Sequence, residues 1–312
     1  MKLSKTKMFL STLFFLIFFA QAAFPAVTLR IQSISKNINI NYDFDNAVEL
    51  VETISIRHRG DATNFFITFS AGNSGQYDPR LAVNATADDI VYYMYDNTTN
   101  QNILKDLAAN PGTNEVLSGS FPANSNWQTI DFTYTLYIPA GEFEAKDQYA
   151  DDVVCTLYSG DLSNNRSEDN ETIGLTIRTN TVTELSLRDT GLPFDANITS
   201  NSIDFGTLVI GETESCDVIA RTNDVFSLSI TSDNGSVMLP ADTTDPSTVP
   251  YTLYFDGTPL TLSARTAVEV VTSAGPTDYA GFRYPVDITI GDFGMATEGL
   301  YTDTITVDMV AK

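Results

Sequence analysis

Histidine is almost absent from this sequence of 312 residues, in which His58 is the only one. No His-based catalytic triad is apparent, and a metal site built from several histidines cannot be formed. His58 stands at a predicted strand end, in Ile56-Arg-His-Arg59, where we interpret it as a solvated side chain. Carboxylate neighbours such as Asp151 and Asp152 fall on opposite faces of an alternating strand, which argues against an acid–base pair. We therefore predict no enzyme activity, no cofactor and no metal site.

Basic residues are scarce: 17 lysines and arginines stand against 40 aspartates and glutamates, a formal net charge of −23. Lys2, Lys5 and Lys7 lie in a predicted signal peptide, and without them 14 basic residues remain against 40 acidic ones, a net charge of −26. Such a chain repels nucleic acid and anionic lipid, so neither is an expected partner. The acids are scattered along the sequence, which is typical of solvated faces.

Long apolar runs are missing except near the N-terminus. Residues 8–19 are apolar, follow the three lysines and precede Ala20-Gln21-Ala22, which fits the small-x-small cleavage rule. The run is too short to span a membrane. We therefore predict that residues 1–22 are a cleaved secretory signal rather than an uncleaved anchor, and that the mature protein is exported.

Only two cysteines are present, Cys155 and Cys216. In an exported protein, a disulfide is the first possibility. Each cysteine, however, alternates with apolar residues on a predicted strand, and the two fall in different halves of the chain. We favour two buried small apolar side chains over a disulfide.

A helical stripe is missing after the signal, whereas short alternating runs between turn signals such as Asn234-Gly235 and Asp256-Gly257 are frequent. Many short strands at regular spacing predict an all-β sandwich architecture. The predicted strands cover residues 29–40, 51–58, 65–70, 90–95, 129–138, 149–158, 174–186, 203–208, 216–221, 226–231, 251–255, 267–272, 283–290 and 301–310.

An internal repeat runs through the chain. Residues 132–143 parallel residues 282–293, and each copy is followed by a strand that opens with Tyr-x-Asp, at Tyr149 and at Tyr301. Upstream segments match in the same order and at similar spacing. The chain is therefore predicted to contain two copies of the same sandwich.

The repeat defines the predicted domains. The first sandwich is expected at residues 23–182 and the second at residues 183–312. Near the join, a polar stretch without strand signals predicts an exposed loop at residues 161–172.

The final residues, 301–312, alternate strictly. One face carries Tyr301, Asp303, Ile305, Val307 and Met309, and the other carries Thr302, Thr304, Thr306 and Asp308. Such a strand needs a ladder partner on each side, or it forms a sheet edge. The first half has further sequence to close its own edge, whereas here the sequence ends. We therefore predict two tandem immunoglobulin-like (pilin-like) β-sandwiches, the C-terminal one lacking its last strand.

The second half resembles the spore coat U domain, the pilin-like module of archaic (Csu-type) chaperone–usher pili. The residues that carry this resemblance are 203–212, 226–231, 251–257, 288–292 and 299–304; the match is good across residues 183–312 and looser across 27–160. A tandem pair without a donor segment at the mature N-terminus is similar to the two-domain tip adhesin of those pili. Pilins of the family often carry a cysteine pair within one domain, whereas this chain has one cysteine per half.

The resemblance implies β-strand addition. A periplasmic chaperone would lend a strand to the groove beside the C-terminal strand, and at the outer-membrane usher the N-terminal donor strand of the next pilin subunit would replace it. Tyr301, Ile305, Val307 and Met309 are the expected core-facing lining of this groove. Trp127, in a polar loop that opens onto a strand, is either part of an adhesive surface or the first inward residue of the strand.

The expected function is that of a pilus tip adhesin. Such a protein would be exported to the periplasm and carried to the cell surface at the fimbrium tip, where it would mediate attachment to an unknown surface or receptor and biofilm formation. Two alternatives stay open: a non-tip structural pilus subunit, and a free secreted carbohydrate-binding β-sandwich protein.

Overall fold

The computed structural model describes residues 28–96 and 101–312, so the predicted signal peptide, residues 1–22, lies outside the described residues. The described residues are all-β, with twenty strands and one short 3-10 turn at Leu107–Ala109. No helix among them is long and apolar enough to cross a membrane. The strands are β1 (Thr28–Ser33), β2 (Asn37–Tyr42), β3 (Val48–Gly60), β4 (Thr63–Phe69), β5 (Arg80–Val83), β6 (Asp89–Tyr95), β7 (Leu117–Phe121), β8 (Asn124–Ile138), β9 (Gln148–Asp161), β10 (Asn164–Thr179), β11 (Thr183–Asp189), β12 (Thr213–Thr222), β13 (Phe226–Ser232), β14 (Val237–Pro240), β15 (Val249–Phe255), β16 (Thr258–Leu260), β17 (Val268–Ala274), β18 (Phe282–Ile290), β19 (Tyr301–Thr302) and β20 (Ile305–Ala311).

The first ten strands enclose one hydrophobic core. Ladder hydrogen bonds connect them in the order β1-β3-β8-β6-β5-β9-β10-β2, and β4 lies between β9 and β7. Because side chains alternate along a strand, every second residue points inward and is buried, as are Ile54, Ile56, Tyr134 and Leu157. β10 pairs with β9 in antiparallel and with β2 in parallel orientation, so it lies inside the sheet.

The remaining strands build a second core around Phe226, Leu228, Ile230 and Leu253. One sheet has the order β11-β12-β18-β15-β14-β19, with β16 beside β15, and the other has the order β17-β13-β20. The protein therefore consists of two tandem β-sandwiches.

The two sandwiches share one pairing scheme. The ladders β1–β3, β3–β8 and β6–β8 correspond to β11–β12, β12–β18 and β15–β18. β4 lies between β7 and β9, as β13 lies between β17 and β20. The strand pairing thus confirms the predicted internal repeat, and β9 is the counterpart of β19 and β20.

The predicted exposed loop at residues 161–172 is wrong. Apart from the turn at Leu162 and Ser163, these residues belong to the β9–β10 hairpin, whose register begins with Asn164 opposite Asp161. The start of β10 is polar and mostly exposed on both faces, so its sequence shows no alternation of apolar and polar residues. Backbone hydrogen bonds to β9 nevertheless hold it as a strand, because they need no particular side chain.

The strands predicted at residues 29–40, 174–186 and 203–208 also differ from the structure. Residues 174–186 contain the end of β10 in the first sandwich and the start of β11 in the second. Residues 29–40 form two strands, since β1 pairs with β3 and β2 pairs with β10. Residues 203–208 form no strand, although Ile203 and Phe205 pack against the second core. Alternation alone does not distinguish a paired strand from an extended segment whose side chains cover a core.

The structure contradicts the interpretation of His58 as a solvated side chain. Its exposed fraction is 0%, and its ring stacks on Phe121 with the ring centroids 4.9 Å apart. β3 continues to Gly60, so His58 keeps an inward position on the strand. The prediction for the cysteines is confirmed: Cys155 lies in the first core and Cys216 in the second, and both are buried and unpaired.

Candidate functional site

β20 and its counterpart β9 differ in the number of strands that flank them. β20 pairs with β13 in antiparallel register, from Phe226 opposite Ala311 to Ser232 opposite Ile305. Among the described residues, no strand pairs with its other edge, which β11 approaches without a ladder. β9 pairs with β4 on one edge and with β10 on the other. One edge of β20 therefore presents backbone N–H and C=O groups that form no ladder hydrogen bonds with any strand in the described chain.

A cleft, which we call the β20 groove, opens along this edge. Its volume is about 290 Å³. Its lining is mainly apolar and comes from both sheets of the second sandwich. The lining residues are Leu187, Asn201, Ser202, Ile203, Phe205, Cys216, Val218, Ile230, Met238, Tyr251, Leu253, Val286, Ile288, Tyr301, Thr302, Asp303, Ile305 and Val307. The groove therefore gives access to the second core from outside.

The four residues predicted to line the groove are all half-buried. Tyr301, Ile305 and Val307 line it directly. Ile305, Val307 and Met309 pack against the second core, but Met309 is not among the groove-lining residues. The alternate residues are exposed, as shown by Val310 with an exposed fraction of 58%. A break between β19 and β20 divides the strand predicted at residues 301–310.

A polar cluster centred on Asp303, which was not predicted from the sequence, occupies this break. The Asp303 carboxylate accepts hydrogen bonds from the hydroxyls of Tyr251, at 2.5 Å, and Ser232, at 2.6 Å. It also accepts one from the backbone N–H of Asn234, at 3.1 Å. Burial, together with the hydrogen bond to Asp303, raises the pKa of Tyr251. The cluster therefore holds a charged hydrogen-bond acceptor, the Asp303 carboxylate, at a fixed position in the mainly apolar groove.

The first sandwich contains an equivalent cluster, centred on Asp151, beside a strand edge that β10 covers. Asp151 accepts hydrogen bonds from the hydroxyl of Tyr92, at 2.5 Å, and from the backbone N–H of Asn73, at 2.6 Å. Leu175 of β10 lies opposite Asp151 in the ladder, and Asp151 is buried. The repeated Tyr-x-Asp was the sequence signal that could have revealed both clusters.

Cys216, on β12, lines the groove, whereas Cys155 lies beneath the β9–β10 ladder. Burial raises the pKa of the Cys216 thiol to about 11, and it raises the pKa of Cys155 further. In the described part of the chain, no set of three or more His, Cys, Asp or Glu side chains is grouped so that it could hold a metal ion.

Trp127 lies in the first sandwich, far along the chain from the groove. It is within β8 rather than in a loop before it, and its exposed fraction is 41%, so it is not an inward residue. Three guanidinium carbons surround its ring, at 5.4 Å for Arg30, 4.6 Å for Arg57 and 4.9 Å for Arg59. The structure thus adds three arginines that sequence reasoning did not connect with this tryptophan.

Comparison with solved structures finds similar proteins, all at low sequence identity and low TM-score. The chaperone–tip adhesion subunit complex CsuC–CsuE of Acinetobacter baumannii is 11% identical, with a TM-score of 0.40, over 89% of this chain and 99% of the other. The adhesive subunit CfaE of CFA/I fimbria of enterotoxigenic Escherichia coli is 12% identical, with a TM-score of 0.32, over 91% and 81%. The CupB6 tip adhesin of Pseudomonas aeruginosa is 9% identical, with a TM-score of 0.33, over 91% and 94%.

At these identities and TM-scores, the likeness carries no argument about function. No protein-family model matches the chain, and no curated protein matches it by sequence. The resemblance of the second half to the spore coat U domain therefore stays a prediction.

Proposed function

We propose that this protein is a subunit of a chaperone–usher pilus, and that its second sandwich joins the pilus by donor-strand complementation. The observation that carries the proposal is the edge of β20 that pairs with no described strand and lies beside an apolar groove that reaches the core. An exposed edge of this kind invites pairing with another chain, and natural proteins normally cover it. A partner strand laid in the groove would satisfy the backbone groups of β20 and fill the space with its side chains.

The first sandwich supplies a template for this partner strand. β10 pairs with β9 in antiparallel register and buries Ile173, Leu175 and Ile177 in the first core. In the repeat, Leu175 lies opposite Asp151, whose counterpart is Asp303. A donor strand for the second sandwich therefore needs apolar residues at alternate positions, with the central one facing the Asp303 cluster.

The free energy gained by burying the donor side chains indicates that the second sandwich needs complementation. Three buried side chains of this type contribute roughly 1.5–3 kcal/mol each. A whole domain is stable by only about 5–15 kcal/mol. The second sandwich without its donor is therefore expected to be marginal, and a periplasmic chaperone would have to hold it until the outer-membrane usher exchanges the chaperone's strand for that of the next subunit.

A fused donor strand tests the groove directly. Residues 161–179 placed after residue 312 keep the register of the β9–β10 hairpin, because residue 160 corresponds to residue 312 in the repeat. The fusion should raise the unfolding midpoint and the protease resistance of the full chain, because each of the three buried side chains of the donor contributes roughly 1.5–3 kcal/mol. The matched control carries serine in place of Ile173, Leu175 and Ile177 in the fused copy only. Equal stability of the fusion and its control would overturn donor-strand complementation.

We further propose that the first sandwich is the adhesive domain and that the protein stands at the pilus tip at the cell surface, where it supports attachment and biofilm formation. This part rests on β9 being paired on both edges, so that the described residues of the first sandwich leave no groove of the β20 type for a further subunit. Labelling of assembled pili with an antibody to the first sandwich should mark their ends. Labelling along the whole shaft would instead support a non-tip structural subunit.

A further inference from the structure

We propose that Arg30, Arg57, Arg59 and Trp127 form a binding site for an acidic saccharide, that is, a sugar that carries a carboxylate or a sulfate group. We call these four residues the arginine–tryptophan patch. The assignment rests on the proposed function only in that the saccharide would be the receptor of the adhesive domain; the binding itself is a property of the first sandwich and can be measured without a pilus.

The patch joins three neighbouring strands on the outer face of one sheet. Arg30 of β1 lies directly opposite Arg57 of β3, and Arg59 follows two residues later on the same face. Trp127 of β8 completes the group, with the three guanidinium carbons 4.6–5.4 Å from its ring centroid. Three cations therefore lie within 5.4 Å of the ring centroid of one half-exposed indole.

This gathering of positive charge is unusual for the protein. Of the fourteen lysines and arginines in the described residues, eight form ion pairs: Lys36, Lys105, Lys146, Arg166, Arg188, Arg221, Arg283 and Lys312. Arg80 is buried and donates to backbone carbonyls. Of the other five, three form the patch, and only Arg178 and Arg265 lie elsewhere.

Carboxylates are abundant in the chain, yet none within the described residues forms an ion pair with the patch. Asp131 is on the same face of β8, opposite Ser55, and lies beyond ion-pair distance of the three arginines. Asp169 approaches β1 but accepts its hydrogen bond from the backbone N–H of Ile31. Like charges directly opposite each other on a sheet are destabilising. Local arrangements that break such a rule are expected at functional sites.

The chemistry of the patch favours a small anionic group on a neutral ring. Guanidinium groups bind carboxylate, sulfate and phosphate groups through paired hydrogen bonds. The indole adds a rigid, partly apolar surface, and Gln32 and Thr129 on the same face supply an amide and a hydroxyl within 3.0 Å of each other. The net charge of the rest of the chain repels long polyanions such as nucleic acid and anionic bilayers. A saccharide with few, separated acidic groups is repelled less by this net charge and can bind the patch.

Direct binding measurements test the site. The full chain without residues 1–22 is titrated with a heparin disaccharide as a sulfated sugar, digalacturonate as a carboxylated sugar and maltose as a neutral one. Binding to either acidic sugar, but not to maltose, is the expected result, and the two acidic sugars distinguish sulfate from carboxylate. Binding to maltose alone, or to phosphatidylglycerol vesicles but to no saccharide, would overturn the proposal.

Substitutions then localise the site. Arg57→Gln should weaken binding about tenfold, since one charged hydrogen-bonding group is lost. Trp127→Ala should also weaken it, whereas Arg57→Lys should retain most of the salt dependence but less of the affinity. Arg178→Gln is the matched control, because Arg178 is exposed and forms no ion pair. Equal affinity of the Arg57→Gln and Arg178→Gln variants, with unchanged circular dichroism, would contradict the patch.

The two proposals fail in different ways. If saccharide binding through the patch is confirmed but pili assemble and adhere normally without this protein, the adhesin function is wrong and the binding site stands. If tip-located protein with Arg57→Gln adheres as well as wild type to the same saccharide, the site is wrong and the adhesin function stands.

Discussion

The hydroxyl of Tyr251 donates a 2.5 Å hydrogen bond to the carboxylate of Asp303 inside the β20 groove. The equivalent pair in the first sandwich, Tyr92 and Asp151, has the same length but is buried beneath the β9–β10 ladder. The repeat has thus preserved one interaction in two environments, one closed and one open. This difference provides an internal comparison for several experiments.

Removal of the tyrosine hydroxyl should cost more in the first sandwich than in the second. Tyr92→Phe leaves the buried Asp151 carboxylate without one donor, which costs about 1–3 kcal/mol in the free energy of unfolding. Tyr251→Phe should cost less, because Asp303 is only half-buried and keeps the hydroxyl of Ser232. Urea unfolding of each single variant gives the two values.

The fused donor strand supplies the control for that prediction. When the groove is filled, Asp303 should become as buried as Asp151, and the cost of Tyr251→Phe should rise toward that of Tyr92→Phe. The same cost with and without the fused strand would show that the groove does not receive a strand at this position.

A charged residue on the inner face of β20 should block complementation. Val307 lines the groove, while the neighbouring Thr306 is exposed. Val307→Asp would place a charge against the apolar side chains of a donor strand, where an unpaired charge is strongly unfavourable. Thr306→Asp keeps the same added charge on the solvent side. We expect the Val307→Asp variant to be lost from complexes with the chaperone and from pili, measured by co-purification, while the Thr306→Asp variant is retained; equal recovery would count against the groove.

The two thiols should report whether the groove is open. Cys216 lines the groove and Cys155 is covered by β10. In single-cysteine variants, an alkylating reagent should modify Cys216 faster than Cys155. The rate should rise with pH toward about 11, the raised pKa of Cys216, because the thiolate is the reactive form. The fused donor strand should protect Cys216; continued modification at the open-groove rate would mean that the groove stays empty.

The short alternating runs between turn signals and the internal repeat predicted two β-sandwiches, and the alternation of the final residues predicted which side chains of β20 face inward. They were not sufficient for β10, whose polar start is held by backbone pairing with β9 rather than by side-chain pattern. Nor could they bring Arg30, Arg57 and Trp127 together. That contact depends on the register between three strands that are far apart in sequence, and a single sequence does not specify this register.

Alkaline pH should destabilise the first sandwich. Burial raises the pKa of Tyr42 to about 12, and its hydroxyl donates to the carbonyl of Pro139 at 2.6 Å. An unfolded tyrosine has a pKa of about 10. Because the folded pKa is the higher one, the stabilisation is fully present below about pH 10 and is lost as the pH rises toward 12. The free energy of unfolding should fall by about 1.4 kcal/mol per pH unit for this tyrosine. Urea unfolding at several pH values tests this, and Tyr42→Phe should remove that part of the slope.

Arg221 should hold the two sandwiches together. Its Nε donates to Glu184 at 2.7 Å, and its guanidinium carbon lies 4.8 Å from the ring centroid of Tyr279 and 5.5 Å from that of Phe44, which belongs to the first core. Arg221→Lys keeps the charge but loses the planar group that stacks on rings. We expect the variant to be cleaved faster by the broad-specificity protease proteinase K at residues 180–182, which link the sandwiches, while each sandwich keeps its own unfolding transition. Arg178→Lys is the control for an arginine-to-lysine change at an exposed side chain. Unchanged cleavage between the sandwiches in the Arg221 variant would mean that the other contacts of the junction suffice to fix it, such as the ion pair between Lys146 and Asp224 at 2.9 Å.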